Sequence, residues 1–269
     1  MPRLPQRIVC LTTETVEVLY ALGEQDRIVG ISGYTVRPPE ARKEKPKVFA
    51  FISGDIDKIL ATRPDLVLTF SDMQCEISRD LIKAGVPVYA FNMRSVDDIL
   101  GMIETVGRLV GAEAKALDIV AGLEAEIDKT RAIAAERFAK TGKRPRVYFE
   151  EWDEPLISGI RWVSELIAIA GGEDVFAERA TQQSARERII ADPGEVLARQ
   201  PDIVIGSWCG KHFRPERVAA RAGWDAMPAV RGGCVHEIKS AVILTPGPVA
   251  IEEGLPALLK IFEDWAAAN

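Results

Sequence analysis

Residues 60–68, LATRPDLVL, and residues 197–205, LARQPDIVI, follow one plan: a helix-like run, a Pro-Asp, and a short apolar run. Proline lacks the amide a helix needs and pushes the residue before it towards extended backbone, so each stretch is a helix-to-strand joint. The match has company. RVYFEE (146–151) stands where RIVCL (7–11) stands, VSELIAIAGGEDVF (163–176) resembles VEVLYALGEQDRIV (16–29), and GCVHEIKS (233–240) takes the place of VPVYAFNMRS (86–95). Four matches in one order predict two similar units built from alternating strands and helices. That alternation is the signature of α/β folds with parallel strands.

The strand and helix signals can be followed through the first half. RIVCL reads as a first strand, and in the helix TTETVEVLYALG either Thr12 or Thr13 can cap, with Gly23 ending the run. Asp55 opens the next helix before the first Pro-Asp joint. Residues 112–140 then form nearly thirty helix-forming positions without an internal proline. Leu117, Val120, Leu123, Ile127, Ala134 and Phe138 share one face of it. At 1.5 Å per residue such a helix reaches roughly 40 Å, enough to cross between two lobes. The expected divisions are an N-terminal lobe at 1–111, a connecting helix at 112–141 and a C-terminal lobe at 142–269.

Composition narrows the function. The 269 residues suit two domains, and 47% hydrophobic with 28% charged residues is ordinary for a folded protein. The net charge is −6 and the basic residues are scattered, which argues against nucleic acid or anionic membrane as partner. No run approaches the ~20 apolar residues that span a bilayer. The opening MPRLPQRIVCL shows no leader pattern, and with Met1 it leads to the expectation of a cytosolic protein, an exported one whose signal has been removed being the alternative. Cys10, Cys75, Cys209 and Cys234 form no CxxC, and Cys10 and Cys234 read as reduced, buried thiols.

Ligands of open parallel sheets sit beyond the carboxyl ends of the strands. Among the few aromatic residues (7%), Tyr34, Phe51, Phe70, Trp152 and Trp208 fall at strand ends or their loops. Each can cover about 150–250 Å² of a flat ligand. Lys211 and Lys239 lie in the same kind of loop. GSWCGKHF (206–213) combines an aromatic, a thiol, an ammonium and an imidazole. Its glycines would let the backbone approach a ligand, with Trp208 and Lys211 touching it. An enzyme in which His212 activates Cys209 is the alternative from another class, since a thiolate nucleophile needs a nearby base. Two histidines in the whole chain cannot build a His-rich metal centre. The acidic EEWDE (150–154) could hold a hard cation through oxygen, but does not require one.

RIVCLTTETVEVLYALG, IVGISGYTVRPPEA, GDIDKILATRPDLVLTF and LISGIRWVSELIAIAGGEDVF together resemble the substrate-binding proteins of ABC importers for cobalamin, haem and ferric siderophores. The resemblance implies two Rossmann-like lobes with parallel sheets, bridged by one long α-helix, and a non-catalytic protein that holds its ligand in a cleft. It implies an aromatic pocket at Tyr34, Phe51 and Phe70, with Trp152 a looser match. Ferric catecholates need convergent cations. Arg37, Arg161, Arg186, Arg188, Lys211 and Lys239 could reach a cleft, yet Asp72, Glu150, Glu151 and Asp153 balance them. The expected ligand is therefore a near-neutral corrinoid, with haem or a ferric siderophore as alternatives. The expected protein is a monomer with no resident cofactor.

Family members that dock on a permease carry an acidic residue seven positions before the proline of each Pro-Asp joint. Asp57 matches in the first lobe; the second has Gly194, with Glu195 one residue late. That departure, and the absence of a leader, lead to the expectation of a protein that works without an ABC permease or docks on one differently.

Overall fold

The computed structural model describes residues 4–50 and 55–269. Phe51 lies outside the described residues, so its expected place in the pocket has no structural counterpart here. The chain divides into two compact units. The first holds residues 1–122 together with 246–248; the second holds 123–245 and 249–269.

In the first unit the strands are β1 (Ile8–Cys10), β2 (Ile28–Ser32), β3 (Lys47–Phe49), β4 (Leu66–Phe70) and β5 (Val88–Phe91). The helices are α1 (Thr13–Ala21), α2 (Pro39–Glu44), α3 (Ile56–Ala61), α4 (Cys75–Lys83) and α5 (Val96–Val110). The strands form one parallel sheet in the order β3-β2-β1-β4-β5. Its central strand is buried on both faces, which is why Ile8, Val9 and Cys10 form an unbroken apolar run rather than an alternating one. Burial pushes the Cys10 thiol up to about 12, so it is an inert core residue. Asp55 caps α3 as the sequence predicts, accepting from the Asp57 amide at 2.9 Å. At α1, Thr12 takes the capping position but makes no side-chain bond there.

A single helix, α6 (Glu113–Thr141), runs from the first unit into the second along the chain, one residue displaced from the expected span. The second unit holds β6 (Arg146–Asp153), β7 (Leu156–Ser158), β8 (Glu173–Asp174), β9 (Ile189–Ile190), β10 (Ile203–Gly206) and β11 (Val235–Glu237). Its helices are α7 (Arg161–Ile169), α8 (Ala177–Ala180), α9 (Gly194–Arg199), α10 (Pro215–Ala219), α11 (Pro228–Arg231), α12 (Ser240–Ile243) and α13 (Leu255–Ala268).

The repeat seen in the sequence is physical. β6, β8, β10 and β11 are mutually parallel in the way that β1, β2, β4 and β5 are. Both Pro-Asp joints close by the same bonds. Asp65 accepts from the amides of Gln6 and Arg7, each at 2.8 Å, and Asp202 accepts from the amide of Arg146 at 2.8 Å. The guanidinium of Arg7 donates to the carbonyls of Thr62 and Arg63, and that of Arg146 to the carbonyl of Arg199. An arginine opening the first strand of each unit thus satisfies orphan carbonyls where the helix ends, while the aspartate fixes the start of the neighbouring strand. The joint is a structural clamp.

The second sheet differs in one respect from a purely parallel one. β6 is eight residues long. Its first half pairs with β8 in parallel, and its second half continues past β8 to pair antiparallel with β7, which pairs antiparallel with β9. The turn at Glu154-Pro155 makes this hairpin.

Candidate functional site

The extra length of β6 carries Glu150, Glu151, Trp152 and Asp153 to its carboxyl end beside β10. Strand register sets Glu150 opposite Gly206, two residues before Trp208. The Trp208 indole donates to Glu150 Oε1 at 3.0 Å. Arg221 completes the arrangement with two bonds, Nη1 to Oε2 at 2.5 Å and Nη2 to Oε1 at 2.8 Å. Glu150 is fully buried, so the charge-assisted fork and the indole together replace the water it has lost. Burial pulls the Arg221 guanidinium down, but its bonds and charge contact with Glu150 outweigh that and leave it raised. Burial, followed by the charge of Glu150, pushes the phenol of neighbouring Tyr148 well above its ordinary value.

The remaining carboxylates of this strand end are held in the same manner. Glu151 receives the buried Arg188 guanidinium at 2.6 and 3.1 Å, and Arg188 also donates to the Ser158 carbonyl. Asp153 pairs with Lys211 and, at 3.9 Å, with Arg217, which reaches Glu154 at 3.2 Å. Acidic residues read as a potential hard-cation site are therefore neutralised by the chain's own cations. No cluster of metal-ligating residues occurs among the described residues.

The aromatic residues separate into two groups. Tyr34 is 65% exposed in the loop after β2. Trp152 is partly exposed, with its indole nitrogen donating to the Glu154 carbonyl at 2.9 Å. The Lys211 ammonium lies 4.6 Å from the Trp152 ring centre and 4.9 Å from that of Trp208. Phe70 and Trp208, by contrast, are core residues. Phe70 is 5% exposed beneath the Arg94 guanidinium, and Trp208 is 3% exposed with its ring edge-on to Phe213 at 4.9 Å. Trp208 thus braces Glu150 rather than offering an open face.

Gly206 has a similarly internal reason. A Cβ there would sit 1.8 Å from Phe213, so its bare Cα makes room for a ring of the same chain and not for a ligand. Gly210 does have the open surroundings expected of a loop glycine, at φ +78°. Lys239 is exposed and bonded to Glu237 at 2.5 Å.

Cys209 lacks the environment of a nucleophile. Partial burial and then the charge of Glu151 raise its thiol, with Ser240 opposing. An activated thiol is shifted the other way. Cys234, expected to be buried, is only partly so, at the mouth of edge strand β11. Sequence reasoning missed Arg188 as a partner of Glu151, and missed Arg221 and Arg217 altogether. Their partners lie 37, 71 and 63 residues away along the chain, beyond any local pattern.

Two α/β units linked along the chain by one long helix are an architecture that known solute-binding proteins share. Residues 8–242 match the family described as periplasmic binding protein, and the chain belongs to that family. It is 25% identical over 267 residues to a vitamin B12-binding protein of Vibrio parahaemolyticus, covering 98% of this chain and 90% of the relative. It is 24% identical to the uncharacterised ABC transporter substrate-binding lipoprotein YvrC of Bacillus subtilis, covering 92% and 77%. Among solved structures, the periplasmic heme-binding protein RhuT of Roseiflexus superposes with a TM-score of 0.82 at 25% identity, covering 97% of this chain and 99% of the other. The periplasmic vitamin B12-binding protein BtuF of Vibrio cholerae gives 0.75 at 20% identity, covering 98% and 99%, a likeness of fold. These findings give no support to the expected cytosolic location. No helix among the described residues is long and apolar enough to cross a membrane.

Proposed function

We propose that this protein binds a near-neutral, flat metal chelate of the corrinoid class, outside the cytosol, and delivers it to an ABC permease without chemical change. The observation that carries the reading is the pairing of its candidate cations. Lys211, Arg188, Lys239, Arg161 and Arg37 are bonded to Asp153, Glu151, Glu237, Glu165 and Glu17 respectively, leaving Arg186 as the exposed exception among the six basic candidates. At the two pairs with a buried member, Arg188–Glu151 and Lys211–Asp153, a polyanionic ferric catecholate would have to take the cation from its carboxylate and leave that carboxylate uncompensated. A corrinoid would not. Each unit by itself presents an exposed or half-exposed aromatic ring at a strand end, Tyr34 in the first and Trp152 in the second.

A haem reading is the second one. It draws on the heme-binding relative and on the exposed Tyr34 phenol, since tyrosine is a known axial ligand of haem iron. Asp57, exposed in the first turn of α3, suits a docking contact with a permease. Glu195 is bonded to Arg179 at 2.5 Å and so contributes less charge. One well-charged docking residue instead of two is a modest loss, because an exposed ion pair contributes about 0–1 kcal/mol.

Titration with cobinamide or cobalamin should quench tryptophan fluorescence saturably at micromolar concentration or below. Trp152→Ala should weaken binding by about 1–3 kcal/mol, the contribution of a well-covered aromatic face. A variant that binds as tightly as the parent would remove Trp152 from the site.

A further inference from the structure

Glu14 takes no part in the proposed binding site, and its surroundings are unusual. It lies in the first turn of α1, is 3% exposed, and its Oε1 has no hydrogen-bond partner. The hydroxyl of Thr12, two residues before it, is likewise buried without one. What covers Glu14 is a segment from far along the chain. Pro246, Gly247 and Pro248 are the only residues after position 122 that belong to the first unit. A Cβ on Gly247 would stand 2.9 Å from Glu14 Cβ, 3.0 Å from Glu17 Oε2 and 3.3 Å from Glu14 Cα. Only a glycine can lie this close.

The titratable and charged neighbours are few. β1 contributes Cys10, whose thiol is held neutral by burial; α1 contributes Glu17; the loop before α2 contributes Arg37. Arg37 is bonded to Glu17 at 3.1 Å, and the covering segment Pro246–Gly247–Pro248 has no ionisable side chain. Among the described residues, a charged Glu14 therefore has no cation of its own. Burial accordingly raises its carboxyl to about 7.

We infer that Glu14 is a proton-controlled clasp: neutral, it lets Pro246–Gly247–Pro248 lie on α1; charged, it favours lifting of that segment so that water can reach the carboxylate. The proline-glycine-proline sequence suits the part. Two rings limit the conformations of the lifted strap, and a single backbone amide, that of Gly247, reports its state.

Amide exchange and carboxyl NMR on the intact protein provide the test. After correction for intrinsic exchange, protection of the Gly247 amide should fall about tenfold between pH 6 and pH 8, the change linked to a carboxyl that titrates near 7 when covered and near 4.5 when open. Glu14→Gln should abolish that pH dependence. Gly247→Ala, which cannot seat against α1, should return the Glu14 carboxyl signal towards its ordinary midpoint. Protection that is flat from pH 6 to pH 8 in the parent would overturn the clasp, as would an unchanged Glu14 midpoint in Gly247→Ala. The parent and Gly247→Ala decide the matter even where Glu14→Gln folds poorly.

Discussion

Replacing Arg221 by methionine should destabilise the second unit by about 3–5 kcal/mol, the largest effect expected of any single change at the strand end. The group left behind sets that size. Glu150 is fully buried and draws two of its three side-chain bonds from this guanidinium. Without them a carboxylate would stay in the core with one indole donor, and breaking one side of a buried pair costs on this order because the other charge is stranded. The cost lies in the stranded charge rather than in any large net worth of the pair. Hence Glu150→Gln combined with Arg221→Met should recover a substantial part of the loss. Urea unfolding of the two variants checks this. A loss under about 1 kcal/mol in Arg221→Met would mean that Glu150 finds water or another donor, and that Trp208 is held for some other reason.

The second large effect concerns pH. The Glu14 carboxyl is raised from 4.5 to about 7 in the folded protein, with desolvation the leading cause. A carboxyl raised on folding binds its proton more tightly in the folded state. Its contribution is complete below pH 4.5 and is lost as pH rises through 7. Over that window the lost stability is about 3 kcal/mol, because each pH unit separating the unfolded and folded midpoints is worth roughly 1.4 kcal/mol. The difference in unfolding free energy between Glu14→Gln and the parent should therefore move by about 3 kcal/mol in the variant's favour between about pH 4 and pH 8. Comparing the difference rather than the absolute values removes the contributions of other titrating groups. A difference that stays constant across this range would show that folding does not raise the Glu14 carboxyl above its ordinary midpoint.

What the sequence revealed of this molecule depended on how local the cause was. The Pro-Asp joints were legible because proline stops a helix within one residue, and the long helix because its apolar face repeats every few positions. α6 accordingly lies one residue from its expected span. Even there the aspartates did more than turn the chain: Asp65 and Asp202 anchor the start of a neighbouring strand, a bond 56–59 residues long in sequence. The β6–β7 hairpin was not legible, because the acidic EEWDE reads as a loop after the strand, whereas Glu150–Asp153 continue β6 and pair with β7 beyond the end of the short β8.

At the site, residue type located the right strand ends but not the side-chain fates. Trp152 and Trp208 read alike in sequence. One is half-open, and the other is drawn into the core by a carboxylate on the adjacent strand. Lys211 was expected to touch a ligand and instead lies against Asp153 and two indoles. The charge balance was nonetheless visible as a count of acids against bases, and it is this balance that the structure resolves into pairs.

Calorimetric titration of the purified protein with cobalamin, haem and a ferric tris-catecholate, each at low and high salt, tests the central claim most directly. These ligands differ in the anionic charge they present, and five of the six basic candidates are already paired with carboxylates. The expected result is saturable corrinoid binding at micromolar or tighter affinity that changes little with salt, and weaker or absent binding of the polyanionic chelate. Tight, strongly salt-dependent binding of the ferric catecholate, with cobalamin inert, would contradict the assignment of a near-neutral ligand.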